Sequence, residues 1–229
     1  MSGPSPNYAY SYTVGRPPAT IHRTSTSSTE ILHLSIAYLV LTFDLVLLFG
    51  GLTFYARPFL ELVATAAVAA LTGFVAHEMA HKVSAQRGGY WAEFRLSPVG
   101  LFISVITAAA GFLFAAPGAT MIGGMASLRD WGRTSLAGPA TNFVFALAFL
   151  SAAFAIQGVA AWAPLTQILL FLAYINALFA AFNLVPFGPL DGAKVLRWSA
   201  PVWAVSFVTF GALTAALYFF TYVIGLPAL

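Results

Sequence analysis

The sequence has no cysteine among its 229 residues. That excludes a disulfide scaffold, an iron–sulfur cluster, a thiolate zinc site and a cysteine nucleophile. Charge is almost as scarce. Asp, Glu, Lys and Arg make up 7% of the chain, against roughly 25% in a soluble domain. So few charges cannot solvate the surface of a 24.3 kDa globule, and a soluble enzyme is excluded. Histidine is confined to His22, His33, His77 and His81, and no Glu follows Glu93. A net charge of +3 on so few charged residues gives no footing for nucleic-acid binding.

What is there instead is apolar: 60% hydrophobic residues and a mean hydropathy of +0.86. This is the composition of a polytopic membrane protein, with the lipid bilayer as its first partner. Residues 1–30, rich in Ser, Thr, Pro and Tyr, read as a disordered tail, and 31–229 as one membrane-embedded domain. Five stretches are apolar and long enough to span: 34–55, 59–85, 134–157, 165–185 and 202–225. Between the second and third lies an uncharged stretch, 96–128.

Cation placement decides how that stretch runs. If it crosses, Arg16, Arg23, Lys82, Arg87 and Arg95 lie on one face, and Arg57, Arg129, Arg133, Lys194 and Arg197 on the other. An even division carries no orientation signal. If it re-enters, Arg57 alone lies opposite all the others, as the positive-inside rule favours. The expected fold is an all-α polytopic membrane protein. It has about five transmembrane helices plus a re-entrant, partly β segment near 96–128, with the N-terminus cytoplasmic and the C-terminus outside. Within that segment a helical piece is expected near 99–110. A short hairpin or irregular strand pair should follow, its arms flanking the turn signal Pro117-Gly118.

The second apolar stretch ends in HEMAH, residues 77–81. Spacing of i and i+4 puts His77 and His81 on one helix face, one turn apart, close enough to share a metal. In HExxH zinc sites the intervening Glu, here Glu78, is the general base. Three ionisable groups in one turn at membrane depth are costly unless compensated, and a metal supplies the compensation. Imidazole and carboxylate ligands with an open position fit catalytic zinc, whereas magnesium or calcium would want oxygen ligands. One zinc per chain is expected.

Few third ligands are available downstream, where only Asp130 and Asp191 remain. Asp130 sits between Arg129 and Arg133 and reads as an ion-paired surface carboxylate. Asp191 follows a span in NLVPFGPLDG, where Pro186 and Pro189 break the helix and Gly188 and Gly192 permit a tight turn. It is the stronger candidate. His77 lies about 12 Å below the cytoplasmic end of its span. Asp191 reaches that depth from the same side only if 96–128 is re-entrant. Asp44, within the first span, reads as a polar contact between helices, and His33 and Glu61 as interfacial residues.

HEMAH, AGPATN at 137–142 and NLVPFGPLDG at 183–192 occur in the order and spacing of three motifs of one family. The chain resembles the site-2 protease family of intramembrane zinc metalloproteases over about residues 60–197. The resemblance implies that His77, His81 and Asp191 ligate zinc and that Glu78 activates water. It further implies that Asn183 holds substrate or the developing oxyanion. Gly138, Pro139 and Asn142 would support the site. The implied activity is hydrolysis of peptide bonds within or near transmembrane helices of membrane-protein substrates. No PDZ-like insertion or CBS-type pair occurs in the sequence, so substrate control has no visible module. The competing functions are a membrane metal transporter or sensor, and an inactive relative that binds helices. A transporter calls for further ligands along a path and gives Glu78 no purpose. The intact HEMAH and Asp191 oppose the inactive relative.

Overall fold

A computed structural model describes residues 25–52, 58–124 and 127–220. Helix α1 (Ser28–Leu52) is followed by α2 (Phe59–Ala70), a π-helical turn at Leu71–Val75 and α3 (Ala76–Arg87). Strand β1 (Trp91–Leu96), helix α4 (Pro98–Ala109) and strand β2 (Gly118–Gly123) come next. The chain continues through α5 (Leu128–Ile156), α6 (Ala163–Asn183), α7 (Asp191–Trp198) and α8 (Ala200–Tyr218). Five helical segments are long and apolar enough to cross a membrane: Ser28–Gly50, Phe59–Arg87, Leu128–Ile156, Ala160–Asn183 and Ala200–Tyr218. The protein is thus an all-α polytopic membrane protein with one small two-stranded sheet.

The first span starts at Ser28 rather than 34, and Glu30, which composition assigns to the tail, is buried inside α1. Residues 1–24 lie outside the described residues, as does the end of the fifth expected span beyond 220. Alanines let the helices approach closely: Ala37 on α1, Ala66 and Ala69 on α2, and Ala173, Ala177 and Ala180 on α6 are all fully buried. Large apolar side chains such as Leu39, Phe43, Leu60, Val144, Phe154, Val205 and Val208 point outward. Such an exterior suits lipid and not water.

The segment between the second and third spans does not cross. Its helix α4 has 12 residues, about 18 Å of rise, too short for a hydrocarbon core of about 30 Å. Ser97 N–H donates to the carbonyl of Pro117 at 2.8 Å, so the two ends of the excursion meet. The hairpin expected around Pro117-Gly118 is not formed. Only the arm after Gly118 is a strand, and it pairs antiparallel with β1, from Trp91 opposite Gly123 to Leu96 opposite Gly118. Its partner comes instead from WAEFRL, in the segment between α3 and α4. The other arm, 112–116, comes directly off the end of α4.

The Ser97–Pro117 bond also fixes the parity of this ladder. In an antiparallel pair, bonded and non-bonded pairs alternate, so Phe94 and Thr120 form a non-bonded pair whose N–H groups face outward. Phe94 N–H accordingly donates outward to Glu30 Oε1 at 3.0 Å.

Candidate metal centre

Helix α3 carries His77 and His81 on one face, both buried. Their rings meet edge to face with centroids 4.6 Å apart, and the two Nε2 atoms are 3.0 Å apart. Asp191, the first residue of α7, brings Oδ2 to 3.3 Å from His77 Nε2 and 3.0 Å from His81 Nε2. Ligand atoms at 2.0–2.1 Å from a tetrahedral zinc lie about 3.3 Å apart. The triangle therefore has the size of one face of a zinc tetrahedron.

The outer atoms of the three residues are committed elsewhere. His77 Nδ1 bonds Asn142 Oδ1, and His81 Nδ1 lies 2.7 Å from the carbonyl of Thr134, both on α5. Each imidazole thus donates from Nδ1 and turns the lone pair of Nε2 inward, as metal-binding histidines do. Lys194 Nζ donates to Asp191 Oδ1 at 3.2 Å, leaving Oδ2 to the centre. Gly138 supplies the room: a Cβ there would sit 2.5 Å from both Nε2 atoms. The donor set, its orientation and this space all fit zinc.

Asp191 arrives by a tight turn. Gly188 has φ +53°, and Leu190 N–H donates to the carbonyl of Phe187 at 3.2 Å. A Cβ at 192 would lie 2.0 Å from the carbonyl oxygen of Leu184, so glycine must follow the aspartate. Glu78 is half-buried, and one of its carboxylate oxygens lies within 4.8 Å of a ring nitrogen of both His77 and His81.

Asn142 is fully buried and does more than pack. Its Nδ2 donates to the carbonyls of Thr72 and Gly73, at 3.2 and 3.0 Å, and to Asn176 Oδ1 at 3.3 Å. Both carbonyls belong to the π turn, which Asn142 thereby ties to α5. Pro139 lies buried on the same helix.

Asn183 is not brought to the cluster. Its Nδ2 donates to the carbonyl of Phe179 on its own helix at 3.0 Å. Asp130 is held by Tyr90 Oη at 2.6 Å and Ser127 Oγ at 2.7 Å at the start of α5. Asp44 accepts from Ser104 Oγ at 2.6 Å, joining α1 to α4.

Sequence reasoning missed Asn176, Thr120 and Thr134. An Asn in the middle of the apolar run of α6 was a visible signal for the first. Thr134 acts through its backbone, which any residue supplies. Thr120 depends on strand pairing.

The sequence profile of peptidase family M50 matches residues 151–218, which include Asp191 and lie beyond HEMAH. A protein of Methanocaldococcus jannaschii named "Putative zinc metalloprotease MJ0611" is 33% identical over 188 residues, covering 78% of this chain and 89% of that protein. A protein of Mycobacterium tuberculosis named "Putative zinc metalloprotease Rip3" is 32% identical over 132 residues, 57% of this chain and 30% of that longer protein. No solved structure matches at a significant level. With a relative aligned over nearly its whole length and a site fit for zinc, the chain belongs to peptidase family M50, the site-2 protease family.

Proposed function

We propose that this protein is an intramembrane zinc endopeptidase that cuts transmembrane-helix substrates near the cytoplasmic face. The observation that carries the reading is the meeting of His77 Nε2, His81 Nε2 and Asp191 Oδ2 within 3.3 Å, with Glu78 one residue from the first ligand. His77, His81 and Asp191 hold one zinc, and Gly138, Pro139 and Asn142 shape and orient the centre. A bound zinc supplies Lewis acidity, acidifying water toward a pKa of about 7 and polarising a carbonyl oxygen. Glu78 takes the proton of the attacking water on its carboxylate and delivers it to the leaving amine. Asn142 and the Thr134 carbonyl hold the imidazole tautomers throughout.

A membrane helix buries its carbonyls in i to i−4 bonds, so the substrate must unwind before attack. The edge of β2, next to α3, is the surface on which an unwound segment would add as a strand. Asn183, on the last turn of α6, is proposed to contact substrate. The cation count places the N-terminus in the cytoplasm and the C-terminus outside. The transporter alternative lacks a path: among the described residues, the other carboxylates buried within a span are Asp44, held by Ser104, and Glu30, paired with Lys82.

The test is zinc content and proteolysis of detergent-purified protein. About one zinc per chain is expected, lost in His77→Ala and Asp191→Ala. Glu78→Gln should keep zinc and lose cleavage by at least a hundredfold. Zinc retained in Asp191→Ala, or cleavage retained in Glu78→Gln, overturns the assignment.

A further inference from the structure

We propose that Thr120 is the positioning residue of the general base, so that strand β2 sets the orientation of Glu78. The proposal rests on the reading of Glu78 given above. Thr120 N–H donates to Glu78 Oε2 at 2.9 Å, and its hydroxyl lies 2.8 Å from the same oxygen. The hydroxyl also lies 3.1 Å from the backbone carbonyl of Glu78.

The ladder explains why that N–H is available. Thr120 stands opposite Phe94 in a non-bonded pair, so its N–H points away from β1 and toward α3. The carboxylate thus takes a donor that the sheet leaves over. Both bonds fall on Oε2, and among the described residues none falls on Oε1, which is free to take the proton. A Glu side chain has three rotatable torsions, and two donors on one oxygen remove most of that freedom. The outer edge of β2 and the reacting carboxylate therefore meet at Thr120.

Two measurements on the full chain in detergent test this. The first is amide exchange over 118–123 in wild type and Glu78→Ala. Ladder bonds protect Ala119 and Met121, whereas Glu78 alone protects Thr120. Thr120 should exchange at least tenfold faster in Glu78→Ala, with Ala119 and Met121 unchanged. Equal exchange at Thr120 in both proteins overturns the contact. The second uses fluorescent casein as an unstructured substrate. Thr120→Val should lower kcat about tenfold with KM and zinc content unchanged, and Thr120→Ser should restore it. A rise in KM at constant kcat, an unchanged kcat, or no rescue by serine overturns the positioning role. Full activity in Glu78→Gln counts against the endopeptidase reading instead. The exchange result then still decides the contact.

Discussion

Gly138 is the position in the site where a single methyl group decides the outcome. Its missing side chain is the space beside both Nε2 atoms, and a Cβ would stand 2.5 Å from each. Gly138→Ala should therefore abolish zinc binding, read as zinc per chain, while helical content by circular dichroism stays at the wild-type level. Asn142 acts one shell further out. Asn142→Ala leaves His77 Nδ1 without its partner and removes the Nδ2 bonds to the carbonyls of Thr72 and Gly73. Loss of such an outer partner typically costs 10–100-fold in metal affinity. A competitive chelator titration should find that loss, and Asn142→Asp should recover part of it by restoring an acceptor for Nδ1–H.

Among the elements, the sheet is held in place by a buried ion pair. Glu30 on α1 and Lys82 on α3 bond directly, and both side chains are nearly inaccessible. Glu30 Oε1 also accepts from Phe94 N–H on β1, and Lys82 Nζ donates to Thr26 Oγ1 at 2.8 Å. One carboxylate thus ties α1, α3 and β1 together next to the metal-binding turn. Removing one partner of a buried pair strands the other charge, at a cost of about 3–5 kcal/mol. Glu30→Ala should lower the thermal midpoint in detergent clearly. The double variant Glu30→Ala with Lys82→Met should recover most of it, because it leaves no charge behind. A midpoint unmoved by Glu30→Ala would show the pair to be dispensable.

For the whole molecule, the re-entry of 96–128 is what puts both halves of the metal centre on one side. Because the chain has no cysteine, single cysteines report topology without background. Arg87 and Arg129 are exposed and flank the re-entrant segment. Arg87→Cys and Arg129→Cys should both label from the cytoplasmic side of sealed vesicles, and Arg57→Cys from the other. Labelling of Arg87→Cys and Arg129→Cys from opposite sides would mean a sixth crossing and would sink the proposed topology.

Two things in this protein were fixed by the sequence alone. Composition set the solvent, because a chain with 7% charge cannot face water. Helical periodicity set the HEMAH face, because i and i+4 side chains meet whatever surrounds them. The scarcity of ligating residues narrowed the downstream third ligand to two aspartates, and the motif around Asp191 singled it out. Tertiary structure decided the rest, where groups far apart in the chain come together. β2 pairs with β1 and not with its own neighbour at 112–116, in a register set by the bond from Ser97 to Pro117. The orientation of His81 depends on the Thr134 carbonyl, and that of Glu78 on an outward N–H at Thr120. Backbone donors and acceptors are the same at nearly every residue. Only the fold selects which of them reach the site, and no residue type announces that choice. Asn183 is marked by its motif, and the structure adds that its amide donates to the Phe179 carbonyl on its own helix.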